Sequence, residues 1–265
     1  MKMARIARKT ETTETFEQID ARIRRVFTVL SKVSHGVVLG HIKAAIVSGA
    51  PGCGKTHLLE RDLAWAEAEG KIKMQSVKGS MSAIGLYKML FECSEPGNVL
   101  LIDDCDSIFA DLDALNILKN ALDTGKTRKV CWAKESRALE NEGVPRSFEF
   151  KGAVLFITNI DFAREISKQN KMAPHYEALL SRSLYVDLKV HSKKEVMVRI
   201  NQVVFEEDFL QDNGINKRQA TEMMAWLKDN IAGLRVLSIR TVMQMAAFIK
   251  TDSHWQDMAE QLMLV

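Results

Sequence analysis

Paired cysteines are absent from this chain. Its four cysteines, Cys53, Cys93, Cys105 and Cys131, lie far apart in 265 residues. No two have zinc-ligand or redox spacing, which excludes a disulfide framework, a zinc ribbon and dithiol chemistry. Long apolar runs are also absent. None approaches the ~20 residues that span a bilayer, which excludes a membrane helix. The opening stretch, MKMARIARKTE, is basic, but no apolar core follows it, so it is not a secretion signal. It reads as a frayed terminus or as a tail that touches DNA. An excess of one charge is missing too: 37 basic residues face 34 acidic ones, a net charge of +3. Bulk charge therefore demands no nucleic-acid partner, and any DNA contact must come from a local patch. There is no internal repeat and no low-complexity segment. A cytoplasmic protein with reduced thiols is expected.

What is present is ordinary globular material, 46% apolar and 27% charged, enough for a real core. Phe16, Ile19, Ile23, Phe27, Leu30 and Val33 recur at threes and fours, one face of a helix, and HGVVLGHIK after it reads as a loop. Short apolar runs then alternate with helical periodicity. AAIVSG, KIKMQSVKG, NVLLIDD, AVLFITN and SLYVDL read as strands. THLLERDLAWAEAEG, SAIGLYKMLFEC and LDALNILKNALD read as helices. RKVCW and SFEFKG look like the arms of an irregular hairpin. This alternation predicts a parallel sheet covered on both faces. After Leu188 the strands stop, and helices are expected over Lys193–Val204, Lys217–Ile231 and Ser238–Ile249, with a short closing helix around Trp255. The expected fold is α/β: a tail and helix over 1–35, an α/β core over 36–190, and a small all-helical domain over 191–265.

The segment GAPGCGKTHLLE, Gly49 to Glu60, stands between a predicted strand and a predicted helix. It fits G-x-x-x-x-G-K-T, and that context is what confirms the motif. Glycines let successive N–H groups turn inward around phosphate oxygens, and the helix that follows adds its positive end. Lys55 reaches the β- and γ-phosphates, and the Thr56 hydroxyl is a ligand for Mg²⁺. A plain glycine turn needs neither the cation nor the hydroxyl. Gly49, Pro51, Gly52, Cys53, Gly54 and His57 complete the expected phosphate contact. Further along, Asp103 and Asp104 end an apolar strand, where ligand sites of parallel sheets gather. One carboxylate can hold Mg²⁺ and its neighbour can polarise a water.

With these segments in order, the chain resembles the AAA+ ATPases over roughly Gly36 to Thr251. GAPGCGKT is similar to Walker A and LLIDDCD to Walker B. VLFITN, ending at Asn159, resembles sensor 1. ALLSRSLYVDL resembles the arginine-finger segment, most like the Ser-Arg-Cys motif of clamp loaders, and LSIRTV resembles sensor 2. The set is similar to AAA+ proteins encoded by tailed bacteriophages. The resemblance implies ATP and Mg²⁺ as cofactors, with Lys55 and Thr56 on phosphate and metal and Asp103 on the metal. It implies Asp104 as base, Asn159 orienting the water, Arg182 reaching the next subunit's site, and Arg240 touching the γ-phosphate from its own lid. It also implies a homo-oligomer, a hexameric ring or a spiral. The family usually carries Glu where this chain has Asp104, one methylene shorter, which points to slow hydrolysis, with Asp106 next in line as base. Two arginines have a plainer reading: Arg182 as a helix-end surface residue, and Arg235 as a rival to Arg240. Arg240 is favoured because Ser238 is a good N-cap, which puts Arg240 in a helix's first turn, where a cation wants an anion nearby.

Two segments are candidates for touching a substrate. KGSMSAIGLY sits where AAA+ rings carry a pore loop, but Gly79-Ser80-Met81-Ser82 lacks the aromatic common in polypeptide motors, and a capped helix start fits equally. GKTRKVCWAKESR sets Lys126, Arg128 and Lys129 around Trp132, a pattern that could track a nucleic-acid backbone and stack a base; the alternative is a solvated hairpin with Trp132 turned inward. No domain precedes the expected core, so partner recognition is assigned to its loops, the lid or the short tails. Three functions follow: a motor or switch in DNA replication, recombination or packaging; a protein-remodelling chaperone; and an ATP-binding scaffold with little turnover.

Overall fold

The computed structural model describes residues 14–207 and 209–265, without the side chain of Asp212. The basic opening stretch lies outside the described residues. Helix α1 (Phe16–Val38) starts from Thr15, whose hydroxyl and Gln18 form a capping box. It continues through His35-Gly36-Val37-Val38, the stretch expected to be a loop. The reason is packing: Val33 and Val37 are buried, and a Cβ on Gly36 would sit 2.5 Å from Ile42 Cδ1. Phe16, expected on the buried face, is exposed at the helix start with the Lys194 ammonium over its ring.

The chain then alternates. β1 (Ala44–Ser48), α2 (Lys55–Ala68), β2 (Lys73–Lys78), α3 (Ala83–Glu92), β3 (Asn98–Asp103) and α4 (Leu112–Ala121) follow in turn, with a 3₁₀ turn at Asp106–Phe109. The hairpin strands β4 (Lys129–Cys131) and β5 (Ser147–Glu149) pair antiparallel around α5 (Arg137–Asn141). β6 (Ala153–Thr158), α6 (Phe162–Ser167), α7 (Ala173–Leu180) and β7 (Leu184–Asp187) complete the sheet and its cover. The five-stranded sheet is parallel throughout, in the order β2-β3-β6-β1-β7. Its central strands are buried on both faces, which is why they read as continuous apolar runs. Successive side chains point to opposite faces. Val47, Leu101 and Leu155 pack toward α1 and α2, while Ile46, Leu100 and Phe156 pack toward α3 and α4.

Helices follow β7: α8 (Lys193–Glu206), α9 (Phe209–Asp212), α10 (Lys217–Asp229), α11 (Ile239–Thr251) and α12 (Trp255–Met263). α8, α10 and α11 each start at a polar cap, Ser192, Asn216 and Ser238, with a capping box. The apolar faces of α8, α10, α11 and α12 join the same core as α1 and α2. Charged groups tie α1 to α8. Arg22 meets Glu195 and donates to the Lys189 carbonyl at 2.7 Å, and Arg24 meets Glu206.

The hairpin selects one of its two readings, the one with Trp132 turned inward. Trp132 is buried against Tyr87, with ring centroids 5.9 Å apart. Arg128 is buried as well, donating to the carbonyls of Ala121 (3.1 Å) and Gly152 (2.7 Å) and lying over the Phe150 ring. Neither side chain faces outward: Trp132 packs on Tyr87, and the Arg128 guanidinium is taken up by main-chain carbonyls on either side of the hairpin. Lys126 and Lys129 remain exposed.

Glu195 gives a measurable handle on the α1–α8 junction. Burial alone would raise its carboxyl. The N–H groups of Ser192 and His191, the Arg22 guanidinium and the Ser192 hydroxyl together outweigh this and hold it down at about 2, against an ordinary 4.5. A depressed acid stabilises the fold above its unfolded pKa and loses that contribution as pH falls. Glu195→Gln is therefore expected to cost about 2 kcal/mol at pH 7. The melting temperatures of the two proteins should converge as pH drops from 4.5 toward 2. Parallel curves across that range would contradict the assignment.

Candidate functional site

Strand register builds the site. Ser48 pairs with Thr158, and Asp103 pairs with Ile157. The loop after β1, the carboxylates after β3 and Asn159 after β6 therefore meet at one edge of the sheet. The loop itself needs its glycines: Gly52 and Gly54 have φ of +70° and +96°, a region costly for other residues. Cys53 turns its thiol into the core, and burial pushes that thiol's pKa up. The expected role of Cys53 is thus limited to its backbone. Gly49 packs on Leu188, Pro51 is exposed, and His57 is exposed one residue into the helix beyond Thr56.

Lys55 is 5% exposed. Its ammonium donates to the carbonyls of Gly49 (2.6 Å) and Ala50 (3.1 Å) and to Asn159 Oδ1 (2.9 Å). All three acceptors are neutral. Burial pushes its pKa down, opposed by Cys53, Asp104, Asp103 and Asp106. Thr56 Oγ1 donates to the Asp103 carboxylate at 3.1–3.2 Å. Burial pushes Asp103 up, and the Thr56 hydroxyl partly offsets this. Lys78, paired across strands with Asp103, lies 3.7 Å from its carboxylate and 2.6 Å from Glu60. Asn159 Nδ2 donates to Asp104 Oδ1 at 2.8 Å. Asp104 has a φ of +52°, rare for a residue with a side chain. Asp106 accepts from Thr158 Oγ1 at 2.6 Å, so it serves the strand end.

A cavity of about 170 Å³ joins these groups, lined by the loop, Lys55, Thr56, His57, Asp104, Asn159, Ile239 and Arg240. Arg240 is exposed and lines this cavity, while Arg235 is not among its lining residues and its Nε donates to the Leu264 carbonyl at 2.8 Å. The structure thus separates the two arginines. Arg182 is not brought here. It precedes Leu184, which pairs with Ala45 near the start of β1, so it sits at the opposite edge of the sheet. There it donates to the Ala178 carbonyl at 2.8 Å and lies 3.8 Å from Asp123.

Two contacts that sequence reading missed fix the loop from the helical segment. The Ile239 N–H donates to the Gly52 carbonyl at 2.9 Å. Arg199 on α8, 5% exposed, stacks on Phe27, pairs with Glu207 at 2.8 Å and donates to the Cys53 carbonyl at 3.4 Å. The signal for Arg199 was there: it interrupts the apolar face Val196-Ile200-Val203 of its helix.

No family model matches this chain. It is 44% identical over 250 residues to a protein of Enterobacteria phage T4, described as an uncharacterized 36.7 kDa protein in the nrdC-mobD intergenic region. The match covers 94% of this chain and 77% of the T4 protein. The chain belongs to the same family as this T4 protein. The structure gives this chain a five-stranded parallel sheet, with the loop at 49–56, the strand-end carboxylates and Asn159 at one sheet edge and a helical segment beside them, the arrangement that the resemblance in the sequence implies. Among solved structures, a DNA replication initiation factor aligns at TM-score 0.46 and 14% identity, over 91% of this chain and 63% of its own. Domain III of the Thermotoga maritima replication initiation protein DnaA aligns at 0.44 and 13%, over 83% and 86%. At these scores the likenesses say nothing about activity.

Gly52 offers a direct test of the loop's contact with the helical segment. A Cβ there would lie 2.7 Å from Ser238 Cβ, on a backbone that disfavours any side chain. Gly52→Ala is expected to weaken binding of a fluorescent ATP analogue by about tenfold or more with the far-UV circular dichroism unchanged. Unaltered affinity would show that the loop does not need this close approach.

Proposed function

We propose that the protein is an AAA+ ATPase that hydrolyses ATP at interfaces between copies of itself. One observation carries this reading: a buried ammonium, Lys55, meets only neutral acceptors within a loop whose geometry suits phosphate. Such a charge is stabilised by an anion brought to it. The oxygen donors Thr56 and Asp103 fit Mg²⁺, a hard cation that is held by one or two protein oxygens plus substrate phosphates. Bound there, the ion would neutralise charge on the β- and γ-phosphates.

Asp104 is the base in this reading. The Asn159 amide occupies Oδ1, leaving Oδ2 to take a proton from water as its oxygen bonds to the γ-phosphorus and the bond to ADP breaks. Lys55 and Arg240 bear on the transferred charge from two sides. Arg182, at the far edge of the sheet, acts on a neighbour's triphosphate, where a trans arginine is worth ~10³–10⁵ in rate. A ring or spiral, hexameric by family resemblance, is the assembly that repeats this contact.

The work is assigned to DNA, in replication, recombination or packaging, with Lys126 and Lys129 as exposed contacts. The protein-remodelling reading is weaker: the loop expected to grip polypeptide lacks an aromatic, Met81 within it is buried, and Ser82 serves as the α3 cap. Single- or double-stranded DNA should stimulate hydrolysis; stimulation by a protein partner alone would transfer the role to remodelling, and tight ATP binding without turnover to a scaffold.

Asp104→Asn should retain ATP-analogue binding and lose about 10²–10⁴ of turnover, read by steady-state phosphate release. An unchanged rate would dismiss Asp104 as base. Lys55→Ala and Arg182→Ala, each inactive alone, should regain hydrolysis when mixed, and specific activity should rise with protein concentration. A monomer active at every concentration, with no rescue on mixing, would leave Arg182 a helix-end residue.

A further inference from the structure

The face that carries Arg182 holds a second cation. Lys119, half-buried on α4, places its ammonium 2.9 Å from His175 Nδ1 on α7 and 3.3 Å from Asn116 Oδ1. An ammonium has no lone pair, so it donates in both contacts, and neither acceptor is a carboxylate. Among the described residues no carboxylate lies within 4.0 Å of this nitrogen. Asp123 is the acid of the neighbourhood, and it stands 3.8 Å from Arg182.

The geometry makes Lys119 and Arg182 a pair. His175, Ala178 and Arg182 follow one another along one side of α7 and the residues just beyond it, at intervals of three and four. Lys119 and Asp123 are four apart at the end of α4, which packs on α7. Lys119 is thus opposite His175, and Asp123 is opposite Arg182. Burial and then the nearby Arg182 charge both push the Lys119 pKa down. A surface lysine with no task would swing into water, away from that charge. This one is held beside it by two acceptors that orient it without neutralising it.

We propose that Lys119 is a second residue supplied in trans, reaching with Arg182 the triphosphate held by a neighbouring copy's phosphate loop. The inference rests on the shared-site reading above. His175 and Asn116 then act as positioning residues that aim the ammonium.

The test is hydrolysis by Lys119→Met, of similar length without charge, with Lys119→Gln as a second variant and Lys119→Arg as the charge-retaining one. Met and Gln are expected to lower kcat by about tenfold or more, with the affinity of their own loop for a fluorescent ATP analogue and their melting temperatures unchanged. Lys119→Arg should keep most of the rate. Mixing Lys119→Met with Lys55→Ala should restore hydrolysis, as mixing Arg182→Ala with Lys55→Ala should. If the Arg182 pair complements while Lys119→Met and Lys119→Gln run at the wild-type rate, the Lys119 assignment is overturned and the shared site stands. If those variants are slow but not rescued while the Arg182 pair is, Lys119 acts within its own chain, and the assignment again falls. If neither pair complements, the shared-site reading fails and takes this one with it.

Discussion

One buried ammonium organises the carboxyl edge of the sheet. Lys55 donates at once to the start of its own loop and to Asn159 at the end of β6. The loop after β1 and the end of β6 are therefore held together through a single nitrogen. Asn159 passes the connection on to Asp104 through its amide. Opposite charge surrounds the ammonium but does not touch it. Burying a charge on these terms is costly. It is tolerable here because three acceptors share the ammonium's protons, and the lowering of its pKa by burial is partly opposed by Asp104, Asp103 and Asp106 from a distance.

Much of this was legible in the sequence, for a physical reason. A parallel sheet buried on both faces writes itself as short apolar runs, and NVLLIDD and AVLFITN became β3 and β6 as read. Caps were legible for the same reason that they work: Ser82 and Ser238 carry the oxygen that the first turn needs. What failed to show depends on contacts remote in sequence. That α1 runs to Val38 follows from Gly36 fitting against Ile42, which no local pattern records. For Arg128 and Trp132 both a binding surface and an inward-turned hairpin stayed open, because composition cannot tell an outward cation from one whose donors find the carbonyls of Ala121 and Gly152. The short helices α5, α6 and α7 have too few turns to display a period. At the site, the residue types at 49–56, 103, 104 and 159 were legible, but that Arg240 lines the cavity while Arg235 is tied to Leu264 was not.

The loop is also gripped from outside the sheet. Ile239 on α11 holds the Gly52 carbonyl, and Arg199 on α8 reaches the Cys53 carbonyl from the other side. Arg199 is in turn packed on Phe27 of α1. Helices α8 and α11 thus hold one short stretch of backbone, and α1 is joined to it through Arg199. Any change of loop shape is felt by all three, and any tilt of α8 or α11 is felt by the loop.

The backbone at Asp104 has a consequence for what this position can hold. At a φ of +52°, Asn and Asp are several-fold enriched over other side chains because their short polar groups bond locally. A longer acid would meet that conformation at a cost of roughly 1–2 kcal/mol. The shorter acid is thus the one this turn accommodates. Length of side chain and shape of main chain have been settled together, and exchanging one without the other would misplace the carboxylate rather than extend it.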